Sequence, residues 1–301
     1  MAPSHASSPI IETTALVKKF GAATALDNLD LTVSEGEVHG FLGPNGAGKS
    51  TTIRILLGLI RASSGSARVF GLDPWTDSVA IHRDLAYVPG DVSVWPNLTG
   101  GEIIDLLTSL RGGADEQRLK ALIGEFDFDP RKKARTYSKG NRQKVALIAA
   151  FARPAKLYIF DEPSSGLDPV MEAVFRSNVE RVRAEGATVL LSSHILSEVE
   201  QLCDRVTIIR SGTAVETGTL SDLRHLSRTS FRVAGLASGG ILDSIAGLHD
   251  VRTVGDSIEF EVDADSIAAV LQTLAAHGVT GLTVAPASLE SLFLRHYATA
   301  Q

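Results

Sequence analysis

The sequence predicts an α/β fold with a mixed but mostly parallel sheet and a helical insertion, followed by a small C-terminal domain of α+β type. Short apolar strands alternate with helical stretches through most of the chain, which is typical of a parallel sheet. A stretch beginning near Leu98 shows helical patterns without a clear strand and predicts the insertion. After Gly212 the predicted elements follow the order βαββαβ, which is that of a ferredoxin-like unit.

The elements of the α/β part are predicted from apolar runs and from helical periodicity. The predicted strands are Glu37–Leu42, Ala67–Phe70, Leu85–Val88, Leu157–Phe160, Thr188–Leu191 and Arg205–Ile209. The predicted helices are Lys49–Leu59, Gln143–Ala152 and Met171–Ala184, with Gly101–Arg111 and Glu116–Glu125 in the insertion.

The C-terminal part is predicted in the same way, most clearly where Ile258, Phe260 and Val262 alternate with glutamates. Its predicted strands are Ser230–Val233, Val251–Val254, Ser257–Val262 and Val279–Val284. Its predicted helices are Ile241–Leu248, Ser266–His277 and an additional terminal helix over Leu289–Tyr297. We therefore expect a loose tail over residues 1–9, a large domain over 10–222 with a helical subdomain at about 98–152, and an accessory domain over 228–301.

Composition excludes several classes of protein. Hydrophobic residues make up 44% and charged residues 21% of the 301 residues, which excludes a wholly disordered chain. The formal charge of −6 argues against binding to nucleic acid through phosphate neutralisation. The single cysteine, Cys203, rules out a disulfide framework and any cysteine-rich metal site, and it fits a reducing compartment.

The sequence contains no stretch that reads as a membrane span. The long charge-free run Ser266–Leu289 is interrupted by polar residues, glycines and Pro286, and it resolves better into a helix and a strand. The first ten residues lack the basic and apolar regions of a signal peptide. We expect any connection with a membrane to be made through a partner protein.

The strongest local motif is GPNGAGKST, which has the spacing G-x-x-x-x-G-K-[ST] between an apolar strand and an apolar helix. Glycines in such a loop turn backbone N–H groups toward a phosphate, and the following helix adds its positive dipole. Lys49 is expected to bind the β- and γ-phosphates, and the Ser50 hydroxyl to bind Mg²⁺. The alternative is a glycine-rich turn that matches by chance. The predicted nucleotide-binding residues here are Gly43, Pro44, Asn45, Gly46, Ala47, Gly48, Lys49, Ser50 and Thr51.

A pair of carboxylates follows the apolar run Leu157–Phe160. The end of a parallel strand lies at the ligand-binding edge of such a sheet, so Asp161 is expected to hold Mg²⁺ directly or through water. Glu162 is expected to orient and deprotonate an attacking water molecule. Simple capping of the next helix is the alternative. The pair favours hydrolysis over transfer of a phosphoryl group to a second substrate.

These motifs carry a family resemblance. The chain resembles the ATP-binding subunit of ABC transporters over residues 10–218, because GPNGAGKST, YSKGNRQKVALIAAF, LYIFDEP, SSGLD and LSSH occur in the family's order. The resemblance implies a P-loop NTPase fold for the domain over 10–222. It also implies ATP and Mg²⁺ as ligands, and a head-to-tail dimer, here a predicted homodimer, with two ATP molecules between the subunits.

The same resemblance implies roles for residues outside the phosphate loop. Ser138 and Gly140 of the signature segment would bind the γ-phosphate held by the partner subunit, although Ser138 alone reads as an ordinary helix N-cap. Asp168 would contact the partner across the dimer. His194 would bind the γ-phosphate, whereas a lone histidine after a strand is more often structural. Phe20 would stack on adenine, with a core position as the alternative.

The sequence departs from the family pattern at two places. Gly90 stands where the family usually has a glutamine that contacts Mg²⁺, and Asp91 could replace that contact or simply form a turn. In the signature, Lys139 replaces the first of two glycines and Asn141 replaces the glutamine, changes that leave backbone contacts through Gly140 possible. We expect hydrolysis to be retained.

The resemblance implies an ATPase on the cytoplasmic side of the cell membrane that drives a separately encoded permease. A coupling helix of that permease would dock around Gly90–Leu98, with Val94 and Trp95 as contacts, unless Trp95 belongs to the core. The C-terminal segment PASLESLFLRHY resembles the tails of ATPases serving ABC-2-type exporters of drugs and antibiotics. A permease-free ATPase acting on ribosomes or nucleic acid and a catalytically silent subunit are the alternatives. The first alternative is disfavoured because the sequence contains no tandem ATPase domain, no long coiled-coil or zinc-binding insertion and no excess of basic residues. The second alternative conflicts with the intact Lys49 and Glu162.

Overall fold

The computed structural model describes residues 9–226, 228–235 and 245–285. The chain divides into two compact units at the junction between Thr217 and Gly218. The predicted terminal helix Leu289–Tyr297, the first half of the predicted helix Ile241–Leu248, and residues 1–8 of the predicted tail lie outside the described residues. The second half of the predicted helix Ile241–Leu248 is wrong, because residues 246 and 247 form a turn and Leu248 begins a strand.

The first unit begins with two long strands that the sequence analysis missed. Strands β1 (Pro9–Phe20) and β2 (Ala23–Ser34) pair antiparallel, and β1 also pairs with β4 (Ser64–Val69) to give a three-stranded sheet. The alternation of apolar and polar residues along β1 is broken by register shifts, and Ala15 adopts a positive φ of 46°. An interrupted period of two is a weak sequence signal, which explains the omission.

The second sheet of this unit has six strands in the order β5-β6-β7-β3-β8-β9. The strands are β3 (Val38–Leu42), β5 (Leu85–Val88), β6 (Leu157–Asp161), β7 (Thr188–Ser193), β8 (Arg205–Arg210) and β9 (Thr213–Thr219). The pairs β3–β7, β3–β8, β5–β6 and β6–β7 are all parallel. Every residue of β3, β6 and β7 is buried, as expected for parallel strands covered on both faces.

The helices of the first unit lie between these strands in sequence. They are α1 (Lys49–Leu56), α2 (Ser78–Arg83), α3 (Gly100–Ser109), α4 (Glu116–Glu125), α5 (Lys139–Phe151), α6 (Pro169–Ala184) and α7 (Leu196–Leu202). Helices α3 and α4 form the helical stretch that the sequence predicts, and α3 begins with a capping box between Thr99 and Glu102. Helix α5 begins four residues earlier than predicted, because its first turn is polar and carries no apolar period.

An aromatic cluster packs α5 and α6 against β6. Phe151, Tyr158, Phe160 and Phe175 are fully buried, and their ring centroids lie 5.2–6.3 Å apart in the neighbouring pairs. Edge and tilted contacts at these distances are the favourable arrangements of aromatic rings. The cluster therefore holds the strand that ends in Asp161 in a fixed position relative to the two helices.

The second unit contains a short helix, α8 (Leu220–Leu226), and a four-stranded antiparallel sheet. Its strands, in the spatial order β11-β12-β10-β13, are β10 (Thr229–Ala234), β11 (Leu248–Val254), β12 (Ser257–Val262) and β13 (Gly281–Ala285). Helix α9 (Ile267–Ala276) packs on the sheet through Val270 and Leu274. Phe231 and Phe260 stack at a centroid distance of 5.5 Å in the core of this unit.

No helix in the described part of the chain is long and apolar enough to cross a membrane.

Replacing Phe175 by alanine tests the role of the aromatic cluster. The substitution removes a fully buried ring and leaves a cavity, so we expect the free energy of unfolding to fall by about 3–5 kcal/mol. Both tryptophans, Trp75 and Trp95, lie in the first unit, so urea unfolding followed by tryptophan fluorescence reports on this unit. The control is Val170→Ala at an exposed position on the same helix, with an expected change below about 0.5 kcal/mol. Equal midpoints for the two variants would contradict the assignment.

Candidate active site

The candidate site lies at the edge of the six-stranded sheet where its parallel strands end. Leu42 of β3 is level with Ser193 of β7, and Asp161 of β6 is level with Ser192 of β7. The loops that follow these three strands carry the phosphate-loop motif, Glu162 and His194. Parallel pairing thus brings the phosphate loop together with two segments that lie more than a hundred residues later in the sequence.

The phosphate loop joins β3 to α1 and presents uncapped backbone N–H groups. Gly48, the N-cap of α1, has a φ of 116°, and no side chain in the described part of the chain caps this helix end. A Cβ at this position would lie 2.7 Å from a methyl carbon of Leu26 and 2.9 Å from the carbonyl oxygen of Ala25, so only glycine fits. The free N–H groups and the helix dipole together favour an anion at this position.

Lys49 is buried beneath the loop and is held by oxygen atoms. Its ammonium group donates to the carbonyl oxygens of Gly43, at 2.6 Å, and Pro44, at 3.3 Å, and it lies 3.5 Å from Oε1 of Glu162. Burial lowers the pKa of Lys49, while the charges of Glu162 and Asp161 oppose this shift. A phosphate oxygen at this place would be an additional negative partner for the ammonium group.

Asp161 ends β6 and is itself buried. Its Oδ1 accepts a hydrogen bond of 2.9 Å from the hydroxyl of Ser192, which leaves the carboxylate with further acceptor capacity. Ser50, in the first turn of α1, is exposed to solvent. No group of three or more histidine, cysteine, aspartate or glutamate residues in the described part could hold a metal by itself. A carboxylate and a hydroxyl fit Mg²⁺, which binds few protein oxygens and completes its shell with water and phosphate.

Glu162 lies between Lys49 and His194. Its backbone has a positive φ of 52°, which is uncommon for a residue with a side chain, and its N–H donates to the carbonyl oxygen of Ser192 at 2.9 Å. This turn directs the carboxylate so that Oε1 lies 3.3 Å from Nδ1 of His194 as well as 3.5 Å from Nζ of Lys49. The structure therefore brings Lys49, Asp161, Glu162 and His194 into one site.

The remaining residues around the loop form a cavity with it. This cavity is lined by Ala25 of β2, by Glu162 and by the loop residues Pro44, Asn45, Gly46, Gly48, Lys49, Ser50 and Thr51. The contribution of β2 was not predicted, because the strand itself was missed.

Phe20 ends β1 and is 51% exposed, with Nζ of Lys18 4.8 Å from the centre of its ring. The expectation that Phe20 could be a core residue is therefore wrong. An exposed aromatic ring is available for stacking.

The signature residues form the start of α5. Ser138 caps this helix, since its hydroxyl oxygen accepts from the N–H of Asn141 at 3.2 Å. Gly140 lies against the segment that follows Glu162, where a Cβ would come within 2.6 Å of the carbonyl oxygen of Gly166. Lys139 donates to the hydroxyl of Ser165 at 2.6 Å. The signature therefore packs on Ser165 and Gly166 of the same chain.

Asp168 caps helix α6. Its Oδ1 accepts hydrogen bonds of 3.0 Å from the N–H groups of Val170 and Met171, and Pro169 occupies the first position of the helix. The side chain is exposed, like that of Ser138.

The loop after β5 approaches the site through its backbone. A Cβ at Gly90 would lie 2.9 Å from the carbonyl oxygen of Asp161 and 3.5 Å from Cβ of Glu162. Glycine permits this approach, and Asp91 beside it is exposed. Trp95, farther along the same loop, is 51% exposed, so a core position for it is excluded.

Comparison with known proteins agrees with this geometry. The family model described as ABC transporter matches residues 26–165. The bacitracin transport ATP-binding protein BcrA of Enterococcus faecalis is 31% identical over 94% of this chain and 95% of its own length. The daunorubicin/doxorubicin resistance ATP-binding protein DrrA of Streptomyces peucetius is 38% identical over 71% of this chain and 66% of its own length.

Solved structures agree as well. An ATP-binding subunit of an ABC transporter superposes with a TM-score of 0.68 at 33% identity, covering 72% of this chain and 92% of that one. The cassette MJ0796, solved as a dimer bound to ADP and phosphate, shares the fold with a TM-score of 0.64 at 22% identity, covering 70% of this chain and 98% of that one. Together with the phosphate loop and the carboxylates beside it, these likenesses show that the chain belongs to the ATP-binding subunits of ABC transporters and is an ATPase with their P-loop fold.

Proposed function

We propose that the chain is the ATP-hydrolysing subunit of an ABC exporter and drives a separately encoded permease. The observation that carries the proposal is the contact of the Glu162 carboxylate with both Lys49 and His194 at the end of β6. Hydrolysis requires a residue that positions water next to the terminal phosphate, and the carboxylate lies beside the cation that would hold that phosphate.

In this mechanism each residue of the site has one task. The backbone N–H groups of the loop residues Asn45–Thr51 and the ammonium group of Lys49 bind and orient the phosphates of ATP. The carboxylate of Glu162 accepts a hydrogen bond from the attacking water and takes its proton. His194 donates a hydrogen bond to the terminal phosphate, which stabilises the charge that develops there. Phe20 stacks on the adenine ring.

Ser50 and Asp161 are the proposed protein ligands of Mg²⁺. The hydroxyl of Ser50 would bind the ion directly, and the carboxylate of Asp161 would bind it directly or through water. When bound, the ion neutralises phosphate charge. Ser192 restrains the Asp161 carboxylate through the hydrogen bond of 2.9 Å.

We propose a head-to-tail homodimer as the active form. Ser138 and Gly140 of one subunit would complete the ATP site of the other, and Asp168 would contact the partner. The exposure of Ser138 and Asp168 supports this arrangement, since both are available at the surface although their oxygens also cap helices.

An ABC-2-type permease in the cell membrane is the proposed partner, with this chain peripheral on its cytoplasmic side. The half-exposed Trp95, together with Val94, supports a docking surface over Gly90–Leu98. Two relatives are named for bacitracin transport and for resistance to daunorubicin and doxorubicin, which supports a drug, an antibiotic or another hydrophobic compound as cargo. Nucleic acid is not a proposed partner.

We propose domain bounds of 10–222 for the ATPase and 228–301 for a ferredoxin-like accessory domain, with the helical subdomain at about 98–152. The strand order β11-β12-β10-β13 with antiparallel neighbours supports the ferredoxin-like arrangement, because it follows from two split βαβ units.

The variant Glu162→Gln tests the role of the carboxylate. It keeps the phosphate loop but cannot accept the water proton, so we expect kcat to fall by at least about 100-fold while the Kd for ATP stays within about twofold. Dimers trapped by ATP should accumulate and be visible by size-exclusion chromatography. The matched control is Glu180→Gln, an exposed carboxylate on α6. Wild-type turnover in Glu162→Gln would refute the assigned role.

Replacing Lys49 by alanine tests phosphate binding. The substitution removes the buried ammonium group, so we expect the Kd for ATP to rise at least about tenfold, as for the loss of one charge-assisted contact. Isothermal titration measures this Kd, and Lys120→Ala on the exposed face of α4 is the control. A melting curve of each variant shows whether it is folded. Unchanged affinity in folded Lys49→Ala would contradict phosphate binding by this side chain.

Affinity capture of the tagged chain from gently solubilised membranes tests the partnership. We expect a polytopic membrane protein in stoichiometric amount, and a reduced yield with Trp95→Ala but not with Leu110→Ala, which is exposed elsewhere. Recovery of ribosomal proteins, or of no membrane protein, would contradict the permease partnership.

A further inference from the structure

A glutamate outside the motifs links the two loops of the active site. Glu198 lies in the first turn of α7, four residues beyond His194, and it is partly buried. Its Oε2 accepts a hydrogen bond of 2.7 Å from the hydroxyl of Ser193, and Ser164 lies beside it in the lining of the same small cavity. Ser193 directly precedes His194 in the sequence, and Ser164 follows Glu162 by two positions.

The two serines have almost no contact with solvent. Ser193 is 1% and Ser164 is 7% exposed, so each hydroxyl needs a partner inside the protein. Ser193 also accepts a hydrogen bond of 2.9 Å from the N–H of Ile195. The Ser193 hydroxyl thus connects the Glu198 carboxylate to the backbone N–H of Ile195, the residue after His194. These two hydrogen bonds restrain the backbone on both sides of His194.

The surroundings of Glu198 combine a small cavity with a carboxyl group that has lost much of its contact with water. A cavity of about 100 Å³ beside it is lined by Ser164, Glu172, Arg176, Ile195, Ser197, Glu198 and Gln201. Burial raises the pKa of Glu198, Glu172 adds to this shift, and the hydroxyl groups of Ser193 and Ser164 and the charge of His194 oppose it. The two hydroxyl groups therefore offset part of the cost of burying the carboxylate.

We propose that Glu198 is a positioning residue for ATP hydrolysis, holding the loop that carries His194 against the loop that carries Glu162. The inference rests on the proposed function, because it assumes that Glu162 and His194 act on ATP. Its geometric basis is the hydrogen bond of 2.7 Å from Ser193 to Glu198, the position of Ser164 beside Glu198 in one cavity, and the 3.3 Å contact of His194 with Glu162. Removal of the Glu198 carboxylate would leave both loops in place, but the distance between the side chains of His194 and Glu162 would vary more.

A double-mutant cycle tests the proposal. We expect Glu198→Ala to lower kcat by about 10- to 100-fold, the effect of small misplacements in active sites, with little change in KM for ATP. In a His194→Ala background the same substitution should lower kcat by a clearly smaller factor than in the wild type, since one of the two residues that it positions is gone. Single-turnover assays with excess enzyme keep slow rates measurable. Ser193→Ala should reproduce the loss, and Glu198→Gln should restore part of it by keeping an acceptor oxygen.

The control is Ser197→Ala, an exposed position in the same turn of α7. A loss with Glu198→Ala that is as large in the His194→Ala background as in the wild type would overturn the proposal. So would a loss that appears only in KM. An unchanged kcat in His194→Ala alone would contradict the proposed role of His194 in hydrolysis. This result is distinguishable from a failure of the positioning role of Glu198, which the comparison of the two backgrounds tests.

A second measurement does not depend on turnover. The imidazole resonances of His194, assigned in histidine-labelled protein by loss in His194→Ala, should shift or broaden in Glu198→Ala and not in Ser197→Ala. Unchanged resonances in a folded Glu198→Ala variant would contradict the positioning role.

Discussion

Parallel pairing of β3, β6 and β7 is the constraint on which the site depends. The pairing places Leu42 beside Ser193, and Asp161 beside Ser192, so that the next residues of all three strands emerge at the same edge. A slip of two residues in one pair would keep every side chain on its face but move a carboxylate by about 7 Å, far beyond hydrogen-bond reach. The full burial of these strands therefore serves the chemistry as much as the stability of the fold.

Charge balance at this edge depends on the same register. Lys49 loses solvation in its buried position, and the neighbouring carboxylates, together with two backbone carbonyls, replace the lost water. Removal of one member of such a group leaves an unpaired charge at a buried place, which costs more than the pair contributes. Binding of phosphate adds negative charge beside Glu162, so the same ammonium group then has to serve two anions.

Local motifs could be predicted from the sequence, whereas contacts between distant segments could not. The phosphate loop and the pair Asp161–Glu162 each follow an apolar strand, which is a signal carried by neighbouring residues. Strand β1 was missed because its shifts in register interrupt the alternation, and the early start of α5 was missed because its first turn is polar. Glu198 had no motif at all, since its role depends on two serines that only the folded chain brings to it.

The glycine at the start of the loop after β5 affects how the site responds to its surroundings. Gly90 meets Asp161 only through main-chain atoms, and the exposed Trp95 lies five residues farther along the same loop. A main chain carries no titratable group and no side-chain ligand for a cation. A displacement of Trp95 would therefore act on the end of β6 only through main-chain contact between Gly90 and Asp161. The stiffness of the segment between Gly90 and Trp95 would determine how large the displacement at Asp161 is.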